Sequence, residues 1–214
     1  MLLFSFLLLP LLITWFCFYY KNRKVSSVIV FGAFAAILVC GFRAFFTFSH
    51  RVIPYDFTEN FIYLLVRQAL LPSVLLYLLF FLISKDDFKF KTEMFLPLEL
   101  SFYSIYLPYV IISSADGLYS WFDLFFKPAL FAAMILQCGI LVKYFYFDLK
   151  AKKIFAGIIL ALIGMIYICL PAIFESLFLM DSYTALIVLL GAVYILLPFV
   201  FVIIKQIKLI REEN

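Results

Sequence analysis

The sequence predicts an all-α protein: a polytopic bundle of seven transmembrane helices. Three observations carry this reading. Hydrophobic residues make up 67% of the 214-residue chain and charged residues 14%, with a mean hydropathy of +1.15; soluble domains carry about 25% charged residues. Seven apolar runs approach the roughly 20 residues that a helix needs to cross a bilayer. All of the 17 basic residues except Arg43, Arg51, Arg67 and Lys127 fall in alternate loops, as the positive-inside rule requires.

The first run, residues 1–20, has no basic leader and no small-residue cleavage site, and Lys21, Arg23 and Lys24 follow it at once. It reads as a retained span with its amino terminus outside. The second run covers 26–46. An external loop from His50 to Asn60 follows, with Pro54 and Asp56 as turn formers. The third run, 61–84, returns to Lys85, Lys89 and Lys91, and the fourth, 95–114, leads out to the polar turn Ser114 to Gly117. The fifth, 118–145, ends beside Lys143 and Lys150. The sixth, 154–174, exits near Glu175 and Asp181, and the seventh, 183–204, re-enters to Lys205, Lys208 and Arg211. The spans use up the chain, so residues 1–214 form one membrane domain with a cytoplasmic carboxyl terminus. A bacterial cytoplasmic membrane is the expected location.

The fourth run is the one with a carboxylate well inside it. Glu99, Tyr103, Tyr106 and Ser113 recur at helical spacing, with Ser101, Ser104 and Tyr109 close by. That face should meet protein or water. Glu99 is eight residues beyond Lys91, and Gln137 is six residues before Lys143, which places the two at similar depth and makes a hydrogen bond between them a natural expectation. Arg43, Arg67 and Lys127 each lie about 24 to 28 Å along a helix from the nearest cytoplasmic charges, at 1.5 Å per residue. They form one layer near the outer interface. Each snorkels or pairs locally, with Asp123 four residues before Lys127 as a candidate partner, or the three converge into a basic pocket for an anionic headgroup.

Prolines interrupt six of the seven runs: Pro10, Pro72, Pro108, Pro128, Pro171 and Pro198. Each removes a helical hydrogen bond, and neighbouring helices must compensate. The layout of three spans, one, then three permits duplicated halves, but Arg43 and Arg67 have no counterparts in the sixth and seventh runs. Cys17, Cys40, Cys138 and Cys169 are scattered through apolar runs and His50 is the single histidine, which argues against a metal site. No lysine in the seventh run offers a Schiff base, no histidine pair offers haem ligation, and phosphate-binding loops and Ser-His-Asp sets are absent, so no cofactor and no nucleic acid are expected.

Pro97, Leu98 and Glu99, with Phe102, Pro108 and Tyr109, resemble the proline-x-glutamate segment of the small polytopic lycopene cyclases. Leu100 stands where that family normally has a second acid. The resemblance implies a membrane-embedded enzyme acting on a lipid or isoprenoid through Glu99. The scarcity of polar groups favours instead a non-catalytic role, as a membrane-complex subunit or a transporter-like protein for an ion or amphipathic anion. Arg43, Arg67, Lys127, Glu99, Gln137, Tyr103 and Tyr106 are the binding candidates. Anionic membrane lipids, a protein partner or a second copy are the expected company, with Lys85 to Glu93 and Lys205 to Glu213 as docking segments.

Overall fold

The computed structural model describes residues 25–45, 56–84, 87–114, 120–180 and 184–213. Every element among them is helical. We number them α1 (Ser26–Phe45), α2 (Phe57–Ser84), α3 (Phe88–Glu93), α4 (Phe95–Ser114), α5 (Phe122–Lys150), α6 (Ile154–Leu179) and α7 (Thr184–Glu213). Five of them, α1, α2, α4, α5 and α6, are long and apolar enough to cross a membrane; in α7 the apolar stretch is the shorter Thr184–Pro198. The expected first span lies outside the described residues.

Several boundaries differ from the hydropathy reading for local reasons. Helix α2 starts at Phe57, not 61, because Asp56 caps it, its carboxylate accepting from the Glu59 N–H. The expected loop after α2 contains a helix of its own, α3, which Asp87 caps by accepting from the N–H groups of Lys89 and Phe90. Helix α5 starts at Phe122, later than 118, and runs on to Lys150. Helix α6 continues past 174 to Leu179, so Glu175 lies inside a helix, not in an exit loop. Helix α7 continues past 204, through the expected docking tail.

Helix α4 is the axis of the bundle. In its apolar stretch 78% of residues are buried, against 61% in α5, 28% in α1 and α2, and 11% in α6. It packs on α1 and α5, while α5 also packs on α6 and α7, and the first half of α2 packs on α6. The core between them is built from Phe80, Phe102, Tyr103, Tyr106, Phe131 and neighbouring aliphatic side chains. Helix α6 is the opposite case, with Ile154, Phe155, Leu162, Met165 and Ile166 all exposed. An apolar surface this continuous calls for lipid or another helix against it.

Two of these helices contain a π-turn, and in each a single residue separates the turn from a proline. In α2 the turn is Leu65–Leu70, before Pro72, with the Leu71 N–H donating to the Val66 carbonyl. In α5 it is Phe122–Phe126, before Pro128, with the Lys127 N–H donating to the Phe122 carbonyl. A proline ring collides with the carbonyl four residues earlier and supplies no N–H, and widening the turn by one residue relieves both problems. The polar residues Arg67, Gln68 and Lys127 sit in or beside these two turns.

Candidate functional site

Glu99 projects from the first half of α4 and is 2% exposed. Its Oε2 atom is buried without a hydrogen-bond partner. The expected bond to Gln137 does not form: Gln137 is only half-buried and makes no hydrogen bond to Glu99, because matching depth on two helices does not fix which way each side chain turns.

Glu99 instead borders a cavity of about 420 Å³ enclosed by α2, α4, α5 and α6. The walls are almost wholly apolar, with Leu70, Phe95, Val142, Phe145 and Ile168 among them. Three other polar side chains reach the wall. Ser73 is engaged with Tyr103, their oxygens 3.2 Å apart, and Tyr77 lies 3.5 Å from the Tyr146 hydroxyl. The third is the Cys138 thiol, a weak donor. Glu99 is therefore the strong polar group on this wall with a free atom. At the rim Val74, Leu78 and Met165 are about half exposed or more, so the cavity opens between α2 and α6 through the apolar outer surface.

Above Glu99 the tyrosines of α4 are tied into the bundle. Tyr103 is fully buried, and Tyr106 accepts from Arg43 Nη1 at 2.9 Å and donates to the Arg67 carbonyl at 2.7 Å. One hydroxyl thus joins α1, α2 and α4. Ser113, expected on the same face, is exposed and bonds back to the Val110 carbonyl, while Ser101 donates to the Ile29 carbonyl of α1. Tyr106→Phe is expected to lower stability by about 1–3 kcal/mol, since it leaves the Arg43 donor and the Arg67 carbonyl without their partner. Detergent-induced unfolding followed by tryptophan fluorescence measures the loss; a midpoint equal to wild type would contradict the bridge.

The expected basic layer splits in two. Arg43 and Arg67 gather around tyrosine rings: Arg43 over Tyr106 and Tyr109, Arg67 over Tyr63 at 5.1 Å. Lys127 neither joins them nor snorkels. It is 1% exposed and pairs with Glu175 Oε1 of α6 at 2.6 Å, and Gln68 Nε2 of α2 donates to the same oxygen at 3.4 Å. The expected pair with Asp123 is absent because Asp123 lies in the π-turn, where four-residue spacing no longer aligns side chains, and its carboxylate accepts from Ser120. Glu175 and Gln68 are polar residues that the sequence reading missed. The readable signal for Glu175 was the apolar run Leu177 to Met180 behind it, which keeps the acid inside the helix.

Among the described residues, no group of three histidine, cysteine or carboxylate side chains is placed to hold a metal ion. No family model, curated protein or solved structure matches the chain. The likeness of the Pro97 to Tyr109 segment to lycopene cyclases therefore stands on those residues alone.

Proposed function

We propose that this chain is a polytopic integral membrane protein that binds a lipid-like amphiphile in the cavity at Glu99, with an apolar chain along the walls and a hydrogen bond to the free carboxyl oxygen. The supporting observation is the unpartnered Oε2 atom beside a lipid-facing apolar cavity. A volume near 420 Å³ falls in the range of small-molecule sites, which are mostly apolar with a few placed polar groups. A buried polar atom without a partner costs about 1–3 kcal/mol, and a ligand donor placed there recovers that cost on binding. The reading is of a carrier or sensor that takes its ligand sideways from the bilayer. It keeps the seven-span, single-domain topology with basic loops in the cytoplasm, resting for that on the charge distribution, and takes the membrane to be a bacterial inner membrane.

A second reading is favoured by the same uncommitted carboxyl together with the lycopene-cyclase-like segment: Glu99 as the acid of a lipid- or isoprenoid-modifying enzyme. One experiment addresses both. The full-length protein in phosphatidylcholine nanodiscs is titrated with geranylgeraniol, a long-chain alcohol, and the bound species are weighed by native mass spectrometry. Wild type is expected to bind one molecule. Glu99→Gln is expected to weaken binding by about tenfold, the worth of one good hydrogen bond, and Ala161→Phe, which fills the cavity, to abolish it. A bound or released product of altered structure, seen with wild type and lost in Glu99→Gln, would favour the enzyme. Equal binding by wild type and Ala161→Phe would remove the cavity as the site, and would leave a subunit role in a larger complex.

A further inference from the structure

We propose that Arg43 and Arg67 form a binding site for a phosphate-type oxyanion, separate from the Glu99 cavity. The two arginines come from different helices, α1 and α2, and meet at Tyr106 of α4, whose hydroxyl accepts from the Arg43 guanidinium and donates to the Arg67 backbone. Two like charges beside apolar helices require a counter-ion, and neither guanidinium is paired with a carboxylate among the described residues. Asp56 caps α2, Asp123 accepts from Ser120, and Glu175 is held by Lys127 and Gln68.

Donors remain for an anion to use. Arg43 Nε is buried without a partner, and the Arg67 guanidinium rests on the Tyr63 ring and donates no hydrogen bond among the described residues. A guanidinium presents parallel N–H groups that match two oxygens of an oxyanion. Two such forks can take up a phosphate from two sides, more than the two oxygens of a single carboxylate can satisfy. Each guanidinium carbon lies within 6 Å of a tyrosine ring centre, in the range of a cation–π contact. Arg43 lies in the last described turn of α1 and Arg67 in the first half of α2, the outer ends of both spans in the topology read from the charges, where a lipid headgroup or dissolved phosphate can approach.

The experiment has two arms, one for each source. In mixed phosphatidylglycerol and phosphatidylcholine nanodiscs, native mass spectrometry of the gently released full-length protein counts retained lipid. In nanodiscs of phosphatidylcholine alone, inorganic phosphate is titrated against the thermal unfolding midpoint, with chloride at equal ionic strength as control. Preferential retention of phosphatidylglycerol, reduced about a hundredfold by the double variant R43Q/R67Q, would assign a lipid headgroup; one charge-assisted bond lost from each arginine is worth about tenfold. Stabilisation by millimolar phosphate in wild type and not in R43Q/R67Q would assign the free anion. R43K/R67K keeps the charge and loses the fork, and is expected to fall between. Absence of both effects in the wild-type protein overturns the proposal however the variants fold, and so does an effect that survives in R43Q/R67Q. Geranylgeraniol binding serves as the folding control, because the Glu99 cavity should be unaffected by these substitutions.

Discussion

Glu175→Ala is expected to destabilise the protein by about 3–5 kcal/mol, the usual cost of removing one partner from a buried ion pair. Lys127 is 1% exposed and its described charge partner is Glu175, so the substitution leaves a buried ammonium with no described charge to balance it. It also strips Gln68 Nε2 of its acceptor. Glu175→Gln separates the two losses, since an amide oxygen still accepts from Gln68 while the charge pairing is gone. The double variant K127M/E175L is expected to recover most of the loss, because replacing a buried pair by apolar side chains of similar size is often neutral or stabilising. Unfolding midpoints in a denaturing-detergent titration decide it. Should E175A unfold where wild type does, Lys127 must find solvent or another anion, and the buried cluster does not exist as described.

Gly32→Val is expected to separate α1 from α4. A Cβ added at Gly32 would lie 2.6 Å from the Leu98 carbonyl oxygen and 3.1 Å from the Ser101 Cβ. The first of these is backbone in the first turn of a buried helix and has no room to give. Small residues at this crossing, Gly32 and Ala36 on α1 and Ser101 on α4, let the two backbones touch, which is how membrane helices gain packing where no water drives them together. Overpacking such a contact costs about 1–3 kcal/mol, with valine above alanine. Alanine also has about 1 kcal/mol of helix propensity over glycine, which works in the other direction. Gly41 on the same helix isolates that second effect, since nothing lies within 4 Å of a Cβ added there. Gly41→Ala should therefore be neutral or slightly stabilising, whereas Gly32→Ala should destabilise. Equal behaviour of the two would mean that α1 does not pack on α4 at Gly32. Loss of this packing would also draw Arg43 away from Tyr106, so Gly32→Val should weaken the proposed anion site.

How much of this was readable from residues alone differs between side chains. That α4 is central followed from a simple rule. A helix with Glu99, Ser101, Tyr103 and Tyr106 among apolar residues cannot face acyl chains on that side, and the structure buries it more than any other membrane-length helix among the described residues. The depth argument for Arg43, Arg67 and Lys127 used only the rise per residue, and it could not decide azimuth. Azimuth sent Lys127 to Glu175 and left Arg43 and Arg67 together. The same limit explains Gln137, level with Glu99 and turned elsewhere. The prolines were visible as interruptions, but that Pro72 and Pro128 would each be met by a π-turn, and that those turns would carry Arg67, Gln68 and Lys127, depends on how the neighbouring helices hold the widened backbone.

By itself, the sequence determined the helical class, the positions of most apolar helices and the identity of the central one, because hydropathy and the cost of burying polar groups act on each segment separately. Only the tertiary structure decided which polar groups meet. It closed Lys127 on Glu175, hung Arg43 and Arg67 on one tyrosine hydroxyl, and left Glu99 facing a cavity with one oxygen free. Rotation of one helix about its axis changes little in the hydropathy of that helix and everything in the partners of its few polar side chains. That choice is made by packing between helices distant in sequence, and no segment read alone contains it.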